Sequence, residues 1–216
     1  QNAAVAAMQN LPDFYTDKNG LHQPQGAIVA MNPHNGYIVA MVGGRGDDAF
    51  NRATQAERQP GSTMKPFVYL AAIQSGKTPG SIVEDSPVSF GSWSPKNYEN
   101  DYEGSITYRY ALQHSRNVAA VKIADEVGMT KVIKLAKEMG ISTLTDQDYN
   151  LSTALGGLTH GVTPLEMVQA YGVLANGGIK VQPTAILKIV DRNGQVVEEN
   201  SIQEKRVVDE KDAAII

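Results

Sequence analysis

Arg58-Gln-Pro-Gly-Ser-Thr-Met-Lys-Pro-Phe67 opens an apolar run that continues to Ile73. The pattern predicts a helix over residues 62–74. Pro60-Gly61 stiffens the approach, Pro66 falls in the first turn where its missing N–H costs little, and Gly76 follows the end. Residues three apart on a helix share a face, so Ser62 and Lys65 can lie side by side. Unpaired N–H groups and the helix dipole at that end favour negative charge on Ser62 or on an oxyanion beside it. A serine hydroxyl is a poor nucleophile until a base takes its proton. A lysine enclosed beside Met64 and Phe67 would have a lowered pKa and could serve as that base. Ser-x-x-Lys alone is a weak signal, since a capping serine followed by a solvated lysine gives the same letters.

A second set, Ser115-Arg-Asn117, strengthens the first. It falls in a tight turn between two predicted helices, where side chains can point into a cleft. Ser115 supplies a hydroxyl able to pass a proton between the lysine and a leaving group. Asn117 supplies an amide that can orient Lys65 and hold a substrate carbonyl. The plainer reading is that Ser115 and Asn117 cap the helix starting near Val118, with Arg116 pointing outward.

Around these motifs the chain reads as strands, then helices, then strands. Residues 3–8 favour helix, and residues 14–24 are polar and turn-rich. Gly26–Met31 and Tyr37–Val42 flank Asn35-Gly36 and predict a mostly apolar hairpin against helices. Gly43-Gly-Arg-Gly46 is read as a turn, because it lacks the spacing of a phosphate loop. Residues 81–104 read as a long functional loop system carrying Trp93, Tyr98 and Tyr102. Helices follow over 105–112 with Ser105 as cap, about 118–126, and 129–139 closed by Gly140. After a glycine-rich segment at 154–161, Thr163, Pro164 and Glu166 form a capping-box start. That helix stops at Gly177-Gly178, and Arg192-Asn-Gly194 marks a second hairpin. The tail from Ser201 is charged, and residues 212–216 look like the opening turn of a helix. The expected fold is α/β of the α+β type: a central antiparallel sheet flanked by helices, with an all-helical lobe.

Composition narrows the chemistry. The 216 residues are 42 % apolar and 19 % charged, with net charge −4. No basic block is present, so no nucleic-acid partner is expected. The absence of cysteine removes thiol catalysis and disulfides. His22, His34, His114 and His160 have no metal-ligand spacing, so no metal and no cofactor are expected. No apolar run is long enough to span a membrane.

The motifs together resemble the penicillin-binding protein and serine β-lactamase superfamily, and most of all the transpeptidase domain of a class A, bifunctional penicillin-binding protein. The resemblance rests on residues 58–67, on Ser115-Arg-Asn117, and on the block from Ala154-Leu-Gly-Gly-Leu-Thr-His-Gly161 to Gly178; Asn51-Arg-Ala53 fits as well. It covers nearly the whole chain from about Gly26. It implies a β-lactamase/transpeptidase-like fold and a serine D,D-transpeptidase. Ser62 would attack the penultimate D-Ala of a peptidoglycan stem peptide, and β-lactams would acylate the same oxygen. Lys65 matches the family's base, Ser115 and Asn117 its second motif, and the Ser62 N–H half of its oxyanion hole. Trp93 and Tyr98, on a cleft wall by the same likeness, are candidate substrate contacts.

The family's third motif, Lys-Thr-Gly or Lys-Ser-Gly on a strand, does not occur. The one Lys-Thr, Lys77-Thr78, is followed by Pro79. The resemblance therefore implies that residues 26–216 lack C-terminal strands and a helix, to be supplied by a further fragment or chain. Without them the chain is expected to fold poorly. It further implies a linker over 1–25 from an upstream glycosyltransferase domain, and a place outside the bacterial cytoplasmic membrane, anchored by a segment not in this sequence. A β-lactamase and a non-catalytic β-lactam sensor are the alternatives. The first would need a carboxylate to activate water, and Glu166 is better read as a capping residue. A purely structural cell-wall protein would have no need of Lys65.

Overall fold

The computed structural model describes residues 1–46 and 49–216. In chain order the elements are α1 (Asn2–Gln9), β1 (Tyr15–Thr16), β2 (His22–Gln23), β3 (Ile28–Met31), β4 (Ile38–Val42), α2 (Arg52–Gln55), a 3-10 turn at Gly61–Met64, α3 (Lys65–Gln74), β5 (Ile82–Asp85), β6 (Gly104–Thr107), α4 (Tyr108–Gln113), α5 (Asn117–Val127) and α6 (Met129–Met139). After 3-10 turns at Asp146–Asp148 and Leu151–Leu155 come α7 (Pro164–Ala175), β7 (Ile179–Val181), β8 (Lys188–Val190), β9 (Val196–Glu199), β10 (Glu204–Arg206) and α8 (Glu210–Ile215). The fold is mixed α/β, with small antiparallel ladders flanked by helices. Each ladder has two strands, where the sequence pointed to one central sheet.

The elements fall into two compact units, each discontinuous in sequence. The first comprises Gln1–Glu57 and Val162–Asp209. Its hairpin pairs Ile28 with Val42 and Ala30 with Ala40, then shifts register before Met31. Only Gly36 of the Asn35-Gly36 pair takes a positive φ, +77°; Asn32 closes the loop by bonding Tyr37 and Gly36. The expected capping box starts α7. The Thr163 N–H donates to Glu166 Oε2 at 2.9 Å, and the Glu166 N–H returns to Thr163 Oγ1 at 3.2 Å. The α7 helix packs on β3, where Gly172 lies close under the Met31 methyl. Residues 14–24 form the small β1–β2 ladder. The second hairpin turns at Gly194 as expected. The charged tail conceals a strand: β10 pairs with β7, Glu204 opposite Val181.

The second unit comprises Arg58–Gly161 and Glu210–Ile216. Its core is α5, whose Val118, Val121 and Ile123 are fully buried against α3, α6 and β5. Each such side chain contributes about 1.5–3 kcal/mol relative to exposure. Alanines 119, 120 and 124, also fully buried, let the helices approach closely. Two sequence expectations fail here. The 81–104 segment is not all loop, because β5 pairs with β6, with Val83 and Asp85 facing inward. Ser105 is not a helix cap: it lies in β6, and Thr107 caps α4 through a bond from the Tyr110 N–H.

Candidate active site

Ser62 lies in the 3-10 turn that leads into α3, and its side chain is exposed. Lys65 begins α3 proper and is 1 % exposed. The approach to Ser62 is gripped from the glycine-rich segment. Gln59 Nε2 donates to the Leu158 carbonyl at 2.6 Å, and the Leu158 N–H donates back to Gln59 Oε1 at 2.7 Å. Gly156, at φ +78°, approaches so near that a Cβ would lie 2.2 Å from the Gly61 nitrogen. Gly161, at φ +108°, sits against the Arg58 backbone in the same way. These contacts explain Gly156 and Gly161, where a side chain would run into the backbone of residues 58–61; Gly157 faces Ser152 instead. The segment is itself held by buried Asp148, which accepts from the N–H and hydroxyl of both Thr145 and Thr159. Burial pushes the Asp148 pKa up, but those hydrogen bonds outweigh it and leave the carboxyl below its usual range.

The Lys65 ammonium points into the turn between α4 and α5. It donates to the Ser115 carbonyl at 2.5 Å, to Ser115 Oγ at 2.9 Å and to Asn117 Oδ1 at 2.6 Å. All three of its hydrogens are thereby used. It has no carboxylate partner among the described residues, and burial lowers its pKa from 10.5 to about 8. Ser115 adopts φ +52°, a left-handed conformation costing a non-glycine residue about 1–2 kcal/mol. In that conformation both its carbonyl and its hydroxyl meet Lys65 Nζ. Of the three partners, only Ser115 Oγ can donate as well as accept. When Lys65 gives up a proton, the carbonyl and the amide oxygen can keep its two remaining hydrogens. The Ser115 hydroxyl can then reverse direction, which is the property a proton relay needs.

Arg116 does not point outward. It is 9 % exposed and is held by three acidic residues. Its Nε donates to Asp85 Oδ2 at 2.8 Å and its Nη2 meets the same oxygen at 2.7 Å. Its Nη1 donates to both Asp101 carboxylate oxygens at 3.1 Å and lies 3.3 Å from Glu103 Oε1. Burial works against the guanidinium charge, but Asp101 and Asp85 outweigh it and raise the pKa further. Ser115 and Asn117 are not the caps of α5 either. Asn97 Oδ1 accepts the N–H groups of Asn117 at 2.9 Å and Val118 at 3.1 Å. The available sequence signal was the acidic excess of residues 84–103, which carry Glu84, Asp85, Glu99, Asp101 and Glu103 against one Lys96.

The structure thus brings Lys65, Ser115 and Asn117 into contact, with Ser62 one turn before the lysine. Trp93 pairs with Phe90 through backbone hydrogen bonds, ring centroids 6.3 Å apart, and lines a shallow cavity with Asn150, Leu151 and Ser152. Tyr98 is 96 % exposed. Neither side chain hydrogen bonds to the Lys65 cluster among the described residues. Lys77-Thr78 sits in the turn after α3, where Lys77 pairs with Glu126 and the Thr78 N–H donates to Ser81 Oγ.

Comparison with known proteins gives the family of the chain. The family model described as the penicillin binding protein transpeptidase domain matches residues 26–216. Penicillin-binding protein 1A of Rickettsia bellii is 40 % identical over 202 residues, covering 89 % of this chain and 25 % of that protein. The crystal structure of penicillin-binding protein 1A from Haemophilus influenzae superposes with a TM-score of 0.77 at 33 % identity, covering 88 % of this chain and 30 % of that one. PonA1 from Mycobacterium tuberculosis, solved in complex with penicillin V, gives a TM-score of 0.82 at 26 % identity over 98 % of this chain and 57 % of that one. The chain spans about a quarter of the length of the curated relatives it matches. On the strength of the matched model and these identities, the chain belongs to the penicillin-binding protein transpeptidase domain family.

Proposed function

We propose that this chain carries the acylating half of a serine D,D-transpeptidase that cross-links peptidoglycan stem peptides and is inhibited by β-lactams. The observation that carries the reading is the buried Lys65 amine, unpaired with any carboxylate among the described residues and hydrogen-bonded to Ser115 and Asn117. Ser62 Oγ attacks the carbonyl between the two terminal D-Ala residues and passes its proton to neutral Lys65. The carbon–nitrogen bond then breaks. Ser115 relays a proton to the departing amine, and D-Ala leaves. An amine of a neighbouring stem attacks the ester, and Ser62 Oγ recovers a proton. Asn117 orients Lys65 and receives the substrate amide. The Ser62 N–H forms part of the oxyanion hole. Trp93 and Tyr98 contact substrate from the 90–98 segment.

The reading further places residues 1–25 as a linker from an upstream domain. It assigns the carboxylate-binding Lys-Thr-Gly or Lys-Ser-Gly strand to a segment or chain beyond Ile216. The enzyme works at the outer face of the bacterial cell membrane, anchored elsewhere; no helix among the described residues is long and apolar enough to cross a membrane. Glu166 is committed to its capping box, which favours a transpeptidase over a β-lactamase.

The test is mass spectrometry of the intact protein after penicillin treatment, with D-Ala release from a stem peptide measured in parallel. One long-lived adduct that vanishes in Ser62→Ala, together with D-Ala release, is expected. No adduct at Ser62 would overturn the assignment, and rapid hydrolysis of the adduct would favour a β-lactamase. An adduct without D-Ala release would favour a sensor.

A further inference from the structure

We propose that Asn97 is a positioning residue for acylation: by capping α5 from outside the helix it leaves the side chains of Ser115 and Asn117 free for Lys65. The inference rests on the transpeptidase reading of Ser62 and Lys65.

Helix starts are normally capped by a serine, asparagine or aspartate beside the first turn, whose side chain is then occupied. Ser115 and Asn117 are such residues in such a place. Yet the N-cap residue Arg116 makes no side-chain cap bond to α5. Asn97 takes that task from another segment, and its amide is fully used. Its Oδ1 accepts two N–H groups of α5, and its Nδ2 donates to Asp85 Oδ1 at 2.8 Å and to the Asp101 carbonyl at 2.9 Å. It is 4 % exposed, and Asp85 is wholly buried. The Asp85 carboxylate also holds the Arg116 guanidinium, so Asn97 and Arg116 brace one another through it.

The same segment holds Asn117 a second time. Asn117 Nδ2 donates to the Lys96 carbonyl at 3.0 Å, which turns Oδ1 toward Lys65. Backbone and side chain of Asn117 are thus both referenced to residues 96 and 97. Ser115, left-handed and exposed, is fixed through its neighbour: the Arg116 N–H bonds the Ala111 carbonyl and its side chain is locked by Asp85 and Asp101. With Asn97 removed, two N–H groups at the start of α5 lose their acceptor, and Asn117 is free to drift. A displacement near 1 Å is enough to break a short hydrogen bond and can slow a positioned reaction about 100-fold.

The experiment is a double-mutant cycle on the intact protein. The acylation rate constant k2 and the preceding binding constant K for a fluorescent penicillin are measured by stopped flow, well below each unfolding midpoint. Asn97→Ala is expected to lower k2 about 10- to 100-fold with K nearly unchanged. Asn97→Ala/Asn117→Ala is expected to fall no more than about threefold below Asn117→Ala, because both changes remove one interaction. Effects that multiply, or a parent-like k2 in folded Asn97→Ala, would overturn the proposal. Asn97→Ser, which keeps a hydroxyl for one N–H, carries the same cycle if the alanine variant does not fold. A parent protein that forms no Ser62 adduct would instead sink the transpeptidase reading, so the two failures are distinct.

Discussion

The Lys65 amine should impose a measurable acid limb on acylation. An ordinary lysine, at 10.5, is neutral in under about 0.1 % of molecules near pH 7.4; lowered to about 8, Lys65 is neutral in roughly one molecule in five. The direction follows from burial, which disfavours the charged form with no carboxylate at hand to restore it. If neutral Lys65 takes the Ser62 proton, the rate follows the neutral fraction. That fraction rises from about 1 % at pH 6 to about 90 % at pH 9, with half reached near pH 8. The assay is k2/K for a fluorescent penicillin across that range, corrected for spontaneous β-lactam hydrolysis. Lys65→Arg removes the base, because a guanidinium stays protonated throughout; acylation should fall about 10²- to 10⁴-fold and the limb should disappear. A flat profile from pH 6 to 9, or a limb centred near 10, would refute the assignment of Lys65 as a buried base.

Three further outcomes are expected. Ser115→Ala and Ser115→Gly both remove the relay hydroxyl and should slow acylation by about 10²-fold alike, but only glycine relieves the left-handed backbone. The glycine variant should therefore be about 1 kcal/mol the more stable in urea, and equal midpoints would show that φ +52° stores no strain. Gly156→Ala should disturb the Gly61 backbone and cost both stability and acylation. Gly76→Ala, with φ +91° but nothing within 4 Å, should cost only about 1–2 kcal/mol and leave acylation intact; equal behaviour of the pair would disprove the packing argument. Asp148→Asn weakens four hydrogen bonds to a buried charge and should destabilise the protein by about 3 kcal/mol at neutral pH. The folded pKa of Asp148 lies below its ordinary 3.8, so its contribution is present above that value and is lost as pH falls through the folded pKa. The gap between parent and variant should close under strong acid, and a gap constant down to pH 2 would contradict this.

What could be read from the letters followed chain distance. Ser62 and Lys65 are three positions apart, so their place within one turn of each other follows from local helix geometry. The hairpin before them was equally local, because Gly36 supplies the positive φ that its loop needs. The α7 start was legible for the same reason, since Thr163 and Glu166 bond each other within one turn. Residues whose partners lie far along the chain carry no such local signal. Arg116 looked like a surface residue because Asp85 is 31 positions away. For Ser115 and Asn117 the plainer alternative, that they cap α5, could not be dismissed from the letters, because the residue that accepts those N–H groups, Asn97, is 20 positions from Asn117. The strands β5 and β10 were hidden in polar segments whose pairing partners only the folded chain shows. The glycine-rich block was visible as a block, but not which of its glycines touch residues 58–61.

The split of the second unit has a consequence for how the protein is made. The α3 helix packs against α8 at Glu210–Ile215, and residues 75–209, which include the whole of Val162–Asp209, are synthesised in between. At about 5–20 residues per second, about 7 to 27 seconds pass between the appearance of the two helices. Throughout that interval the apolar flank that α3 turns toward α8 has no intramolecular cover. A nascent chain in this state is the form most open to chaperones and proteases.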